Sequence, residues 1–308
     1  MADAIRIAEA MSACHAESTR AIYAGAWQRW ERWCTVRDMA AMPAHPAAIC
    51  AYLAERAATG LSIGALDTDC SAIAYTHRRH RLPDPLCDEA VRAVRRGLRR
   101  IVGTAPRRQA RPLGTTEIRQ IVEAIDRSTP KGARDAAIIL LGYASALRRS
   151  ELAALTLDDI DTQPGGLVIT VKSSKTDQES AGQCVGVAHG QHEVTDPVAA
   201  LHTWLAVRGT NPGPVFTSLR HGHLTLEPFL GDGIAIMLRR RARGAGLAAE
   251  RITPHSLRAG HATEAALAGV ALDRIAAQTR HRRLSTLLER YIRPAQALQL
   301  TSSRDLGL

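Results

Sequence analysis

The sequence has no run of about 18 uncharged apolar residues, the length that a membrane helix needs. Its first residues also lack the charged segment followed by an apolar one that marks a secretory signal peptide. Both absences argue against an exported or membrane-spanning protein. We therefore expect a cytoplasmic protein, which would be associated with the nucleoid if its partner is DNA.

The signatures of metal and nucleotide chemistry are also missing. The six cysteines occur singly, with no Cys-x-x-Cys pair, so we predict reduced thiols rather than disulfides or a zinc site. His221 and His223 have no thiol nearby, and we interpret them as part of a turn. No cluster of carboxylates is suited to Mg²⁺, and no glycine-rich phosphate loop is present. We therefore predict no metal, no other cofactor and no use of ATP.

Lysine is scarce in a chain that is rich in arginine. Three of the 40 basic residues are lysines, which leaves 37 arginines. Where arginine serves nearly everywhere as the cation, a lysine is suited to the one task that arginine cannot perform, which is to give up a proton. Lys172 and Lys175 lie three positions apart around one short turn. Each is a candidate proton donor.

The excess of positive charge indicates an anionic partner. The net charge is +10 and the pI is about 9.9. Eight arginines and no acid lie between Arg92 and Arg111, and a second cluster spans Arg239 to Arg243. A charge run is often only a solvated helix face, but two clusters and a global excess favour nucleic acid. The candidate DNA-binding residues are Arg92, Arg95, Arg96, Arg99, Arg107, Arg108, Arg111, Arg239 and Arg241.

The spacing of apolar residues predicts a mainly helical chain with a small antiparallel β-sheet. Residues 18–102 show helical spacing, interrupted by proline and glycine, whereas residues 104–112 have no apolar periodicity and resemble an extended basic linker. Beyond it, the apolar helix AAIILLGYASAL should be central to a second core, and LVITV and CVGVA predict a hairpin around the turn SSKTDQESAGQ. We predict a helical domain over 1–103, a linker over 104–112 and a second domain over 113–308.

The stretch Thr253–Pro294 contains side chains that are suited to phosphate chemistry. His255 and Arg258 lie three apart in the first turn of a helix that opens with proline, so both project from one face. His281 follows in a basic turn, and Tyr291 comes after it. A single His-x-x-Arg pair is often a solvated helical pair, and a single tyrosine is often a packing residue. The hypothesis of an active site therefore depends on the whole set.

A further arginine and an acid lie upstream of this stretch. Arg148 occurs in ALRRSELAAL, where Glu151 lies three residues on and can brace the guanidinium from the same helical face. A phosphodiester repels nucleophiles, so catalysis on it needs fixed cationic donors around its non-bridging oxygens. Arg148 and Arg258 supply such donors, and His255 can hydrogen-bond the phosphate or accept a proton. Beside such cations, the hydroxyl of Tyr291 becomes a better nucleophile.

These motifs resemble those of the tyrosine recombinase, or phage integrase, family over nearly the whole chain. That family has an arginine in a Leu-Arg-x-Ser-Glu-Leu helix, a lysine in a hairpin turn, His-x-x-Arg, a Gly-His or Gly-Trp pair, and then a tyrosine. The turn SKTDQ is similar to that of the Cre-like branch, which favours Lys175 as the proton donor to the departing 5′ oxygen, while other branches favour Lys172. This chain departs from the pattern in having Arg280 before His281, and in placing His281 one residue farther from Tyr291 than is usual.

The resemblance implies a set of site residues and a reaction. The implied catalytic residues are Arg148, Lys175, His255, Arg258, His281 and Tyr291, with Glu151 in a supporting role. It also implies a helical core-binding domain, a mixed helical catalytic domain from about residue 112, and a homo-tetramer acting on specific sites in double-stranded DNA. Tyr291 would form a 3′-phosphotyrosyl bond and release a 5′ hydroxyl that attacks the partner strand, without metal or ATP. The tail after Pro294 would dock on a neighbouring protomer or fray.

Two alternatives use the same residues differently. A type IB topoisomerase-like or hairpin-resolving enzyme would share the chemistry but would not assemble as a tetramer or exchange strands between two DNAs. A helical DNA-binding regulator, in which the constellation is inert, would form no covalent adduct with DNA.

Overall fold

The computed structural model describes residues 17–105, 110–172, 182–281 and 283–292, together with residues 301, 303 and 306. The chain divides into two compact units, Met1–Arg108 and Gln109–Leu308. Lys175, Arg107, Arg108 and the residues that follow Ile292 up to position 300 lie outside the described part. None of the helices within these ranges combines the length and the apolarity that a bilayer crossing requires.

The first unit is a group of helices around an aromatic core. The buried rings of Trp30 and Tyr52 meet edge to face, with centroids 5.2 Å apart. Next to them, the buried carboxylate of Asp69 accepts hydrogen bonds from Tyr52, Arg29 and Arg56, so its charge is paired inside the unit. The helices are α1 Glu17–Thr35, α2 Pro46–Ala58, α3 Ile63–Arg79 and α4 Glu89–Val102.

The second unit is built around helix α6, which contains the predicted apolar segment. All residues from 133 to 141 are buried, and the helix packs against α8 and α10. On α10, a Cβ atom at Gly260 would lie 1.9 Å from the carbonyl oxygen of Leu113, so only glycine allows the chain entering the unit to cross this helix. The helices are α5 Thr115–Glu123, α6 Pro130–Ser145, α7 Arg149–Ala154, α8 Pro197–Arg208, α9 Gly231–Gly244, α10 Pro254–Leu267, α11 Leu272–Thr279 and α12 Leu284–Leu287.

Two antiparallel sheets complete the second unit. The strands are β1 Ile160–Gln163, β2 Gly166–Val171, β3 Gln183–Ala188, β4 Thr217–Arg220 and β5 His223–Pro228. The first sheet has the order β1-β2-β3, and β2 and β3 form the predicted hairpin. The β4–β5 hairpin was not predicted. Its turn consists of His221 and Gly222, both with positive φ, which confirms His221 as a turn residue, whereas His223 is the first residue of β5. The predicted fold class, mainly helical with a small antiparallel sheet, is confirmed.

Candidate active site

Arg148 lies at the start of a short helix, directly after a left-handed turn. α6 ends at Ser145, Ala146 has a φ of +50°, and α7 begins at Arg149. The carboxylate of Glu151 accepts hydrogen bonds from the backbone nitrogen of Arg148 at 2.7 Å and from its Nη1 at 2.6 Å. Glu151 is buried, whereas the side chain of Arg148 keeps 21% of its exposure. The carboxylate therefore orients a guanidinium that solvent still reaches.

Arg258 is buried on α10 and joins that helix to the turn before Arg148. Its Nη1 donates a hydrogen bond of 2.6 Å to the carbonyl oxygen of Ala146. Burial, and then the charges of Arg148 and Arg280, lower the pKa of Arg258 to about 10. Because this value is well above neutral pH, Arg258 remains a cation there.

Tyr291 is hydrogen-bonded to His255. The Nε2 atom of His255 and the hydroxyl oxygen of Tyr291 lie 2.8 Å apart. His255 comes from the first turn of α10, and Tyr291 from a π-helical turn, Leu288–Ile292, that follows α12 and packs against α10. Such turns are rare and occur often at functional sites. The two atoms are close enough for a proton to pass from the hydroxyl to the imidazole.

His281 lies beside Tyr291, with ring centroids 5.6 Å apart. The hydroxyl of Thr279 donates its proton to the carbonyl oxygen of Ile275 at 2.6 Å, so the hydroxyl oxygen accepts from Nδ1 of His281, which is 2.7 Å away. Burial, and then the charge of Arg258 with other nearby cations, lowers the pKa of His281 to about 4. His281 is therefore uncharged at neutral pH, with its proton on Nδ1.

We expect His281 to make the folded protein less stable in acid. Its pKa is about 4 in the folded state against 6.5 ordinarily, so between these values the unfolded chain binds the proton more readily. As the pH falls through this window, the free energy of unfolding should decrease by about 1–2 kcal/mol, after allowance for solvent screening. Urea denaturation at a series of pH values measures this decrease. His281→Gln should flatten the slope, and an unchanged slope would contradict the prediction.

An open cavity of about 350 Å³ adjoins this cluster. It is lined by two segments, one at the start of α7 and one at the start of α10. The lining residues are Leu147, Arg148, Arg149, Ser150, Thr253, Pro254 and His255. The guanidinium groups and the imidazole make this cavity suited to an anionic group such as a phosphate.

Residues 112–297, more than half of the chain, match the phage integrase family. The chain belongs to that family. Membership confirms the predicted resemblance to this family and the predicted enzyme class, a site-specific recombinase of the tyrosine recombinase type.

Relatives of this phage integrase family member match it over most of its length. An integrase/recombinase xerD homolog from Selenomonas ruminantium is 30% identical over 284 residues, which cover 90% of this chain and 82% of the relative. The recombinase cre of Escherichia phage P1 is 26% identical over 80% of this chain and 75% of its own. A solved lambda integrase tetramer bound to a Holliday junction matches with a TM-score of 0.64 at 17% identity, over 89% of this chain and 72% of that one. The structural likeness supports the integrase fold.

One buried cation of this integrase, Arg280, lies in the cluster but was not among the predicted site residues. Nη2 of Arg280 donates a hydrogen bond to the Glu151 carboxylate, and the Arg280 side chain keeps only 3% of its exposure. The sequence did contain a sign of this residue, because Arg280 stands where the family pattern has glycine. Its neighbour, His281, was predicted and lies in the cluster.

Of the two candidate lysines of the integrase, the structure describes Lys172 but not Lys175. Lys175 lies outside the described residues. The Nζ atom of Lys172 lies 2.7 Å from a carboxylate oxygen of Asp159, and this ion pair raises the pKa of Lys172. A raised pKa makes an ammonium group a weaker acid. The pairing therefore favours Lys175 as the donor, which stays a prediction.

The predicted DNA-binding arginines on α4 are mostly paired within the first unit. Arg95 and Arg99 form ion pairs with Asp67 of α3, and Arg96 forms one within α4. Arg92 is exposed on the same helix. Partly exposed ion pairs of this kind are weak and can be exchanged for phosphate contacts, so DNA binding by this helix stays a prediction.

The remaining candidates in the second unit have different surroundings. Arg111 pairs with Glu117, and Arg239 is exposed on α9. Arg241 pairs at 2.8 Å with the fully buried carboxylate of Asp135 on α6. Two further arginines pair with the same carboxylate, so Arg241 is one of three cations that compensate this buried charge, and it contributes to the stability of the fold.

Proposed function

We propose that this chain is a site-specific DNA recombinase that cuts and rejoins duplex DNA through a 3′-phosphotyrosyl intermediate. One observation carries the proposal, the 2.8 Å hydrogen bond between Tyr291 and His255. It lies beside Arg148 and Arg258, whose electrostatic influence reaches this cluster. A hydroxyl nucleophile, a base within reach and fixed cations are the groups that act on a phosphodiester.

In the cleavage step, the Tyr291 oxygen attacks the scissile phosphorus while its proton passes to His255. The bond from phosphorus to the 5′ oxygen breaks, the 3′ phosphate stays joined to Tyr291, and Lys175 gives a proton to the departing 5′ oxygen. Arg148 and Arg258 donate to the non-bridging oxygens, where negative charge must be stabilised. Attack by the 5′ hydroxyl of a partner strand reverses these steps. Because the phosphotyrosyl ester replaces the broken diester, rejoining needs neither ATP nor a metal.

The proposal extends to the assembly on DNA. The solved lambda integrase is a tetramer on a Holliday junction, which supports a homo-tetramer of this chain acting on two DNA sites. We assign residues 1–103 to a core-binding domain, 104–112 to a basic linker and 113–308 to the catalytic domain. The net charge of +10 supports double-stranded DNA as the partner.

The test uses the full chain and duplexes selected by binding from a random-sequence pool, each nicked at successive positions. In EDTA and without ATP, we expect an SDS-resistant protein–DNA adduct in which mass spectrometry finds Tyr291 esterified to a 3′ phosphate. Transfer of a labelled strand between two duplexes should follow. A topoisomerase-like or hairpin-resolving enzyme would form the adduct without this transfer. The absence of any adduct would indicate an inert regulator and contradict the proposal.

The two lysines provide a matched pair of variants. Lys175→Ala should slow cleavage by about 100-fold, because the departing 5′ oxygen then lacks its proton donor. Lys172→Ala should have little effect, because that ammonium is engaged by Asp159. A substrate with sulfur in place of the departing 5′ oxygen needs no proton and should restore the rate of Lys175→Ala. Loss and rescue in Lys172→Ala instead would assign the donor to Lys172.

A further inference from the structure

Arg280 occupies a backbone conformation that arginine rarely adopts. It caps the C-terminus of α11 with φ 52° and ψ 46°, in the left-handed region that favours glycine. The same turn leads directly into His281. A residue with a side chain costs more than glycine in this conformation, and an interaction of that side chain can offset the cost.

The interaction is with Glu151, which lies 129 positions away in the sequence. One carboxylate oxygen of Glu151 accepts from Nη1 of Arg148, and the other accepts from the backbone nitrogen of Arg148 and from Nη2 of Arg280. The Nε atom of Arg280 is buried and has no acceptor among the described residues. Its Nη1 makes only a long contact of 3.5 Å with the carbonyl oxygen of Gln278, so Glu151 is the described acid that compensates the buried charge of Arg280.

The charge of Arg280 changes the balance of the site. Glu151 is the acid that directly pairs with Arg148, and taken alone it would offset one of the two cations, Arg148 and Arg258. With Arg280 present, one negative charge is shared among three arginines, and two positive charges remain for a phosphate. The influence of Arg280 reaches the neighbouring groups, because it contributes to the lowered pKa values of Arg258 and His281.

We propose that Arg280 is a positioning residue of this site, which fixes the Glu151 carboxylate that orients Arg148 and compensates its negative charge. The inference rests on the proposed function, since it concerns how the arginines are held for a phosphodiester. Arg280 itself acts through Glu151. Where the family has glycine, which could neither fix the Glu151 carboxylate nor compensate its charge, this chain has an arginine that does both.

The experiment compares Arg280→Gly with Arg280→Lys in single-turnover cleavage of a nicked duplex. Glycine suits the left-handed turn, so Arg280→Gly should fold normally and retain its affinity for DNA. We expect its cleavage rate to fall by about 10- to 100-fold, because the Glu151 carboxylate that orients Arg148 loses the Arg280 contact that fixes it. Arg280→Lys keeps a cation within reach of Glu151 and should recover most of the rate. Thermal unfolding and a mobility-shift titration control for folding and binding.

A double variant tests whether Arg280 affects cleavage through Glu151. If Arg280 acts through Glu151, adding Arg280→Gly to Glu151→Gln should cause little further loss of rate. The pKa of His281, measured by NMR titration of labelled histidine, should rise in Arg280→Gly and change less in Arg280→Lys.

The outcomes separate this inference from the function on which it rests. A wild-type chain that forms no adduct would contradict the proposed function, and the His281 titration would still test the influence of Arg280. A wild-type rate in Arg280→Gly, equal losses in the glycine and lysine variants, or full additivity with Glu151→Gln would each overturn the positioning role.

Discussion

Tyr291→Phe should abolish the covalent protein–DNA adduct, with a loss of cleavage of at least about 10⁴-fold. The substitution removes one oxygen atom, which is the proposed nucleophile and lies 2.8 Å from Nε2 of His255. No other described group of the cluster combines a hydroxyl with this contact. The buried ring remains in place, so affinity for DNA and the thermal unfolding temperature should change little. Denaturing electrophoresis of radiolabelled DNA detects the adduct directly.

Tyr143→Phe is the matched control for this variant. Its hydroxyl also makes a side-chain hydrogen bond in the second unit, to Thr115 at 3.0 Å, and burial raises its pKa to about 12. That substitution removes the same atom without touching His255 and should leave the adduct at its wild-type level. Persistence of the adduct in Tyr291→Phe would show that a different residue is the nucleophile.

The residues of the site could be predicted from sequence where they form local patterns. Arg148 with Glu151, and His255 with Arg258, each lie three positions apart, so a helical turn presents them together and the motif is visible. The contacts that join these motifs are not local. Arg258 reaches the carbonyl of Ala146 across 112 positions, and no periodicity specifies such a contact. The sequence therefore predicted these four members of the cluster, but neither Arg280 nor the geometry.

The left-handed backbone conformation of two further residues could not be predicted, because it breaks the usual rules for positive φ. The rules assign left-handed positions to glycine and asparagine, and a two-residue hairpin turn is usually recognised by them. The β4–β5 turn instead begins with His221, and α11 ends with Arg280. In the second case, the Arg280 side chain forms a tertiary ion pair with Glu151, and that contact is visible only in the folded chain.

The composition likewise predicted a positively charged surface, but not which arginines pair with acids inside the protein and which are available to DNA. Arg241 belongs to a cluster that predicted DNA binding, and the structure joins it to the buried Asp135. A run of arginines can therefore serve the stability of a unit and its affinity for DNA at the same time. Substitutions that aim to separate these roles should avoid positions whose partner is a buried acid.

Arg258→Met should reduce cleavage by about 1,000-fold or more, because a forked cationic donor to the transition state is lost. Nη1 of Arg258 already donates to the carbonyl of Ala146, so the other guanidinium nitrogens make the proposed phosphate contact. Arg258→Lys keeps one cation but must divide it between that carbonyl and the phosphate, so its rate should be intermediate. DNA affinity should be nearly unchanged, since most of the binding charge lies elsewhere. Single-turnover cleavage and a mobility-shift titration measure the two quantities.

Stability must be separated from chemistry, because Arg258 is buried and its loss removes the donor to the Ala146 carbonyl that the described residues provide, at a cost of about 1–3 kcal/mol. Arg208 provides the control, since it too is buried and donates to backbone carbonyls, those of Gly209 and Pro214. Arg208→Met should lower the unfolding temperature by a similar amount and leave cleavage intact below that temperature. If both variants lose cleavage equally, the role of Arg258 is structural. If only Arg258→Met loses it while both bind DNA, the buried arginine acts on the phosphate.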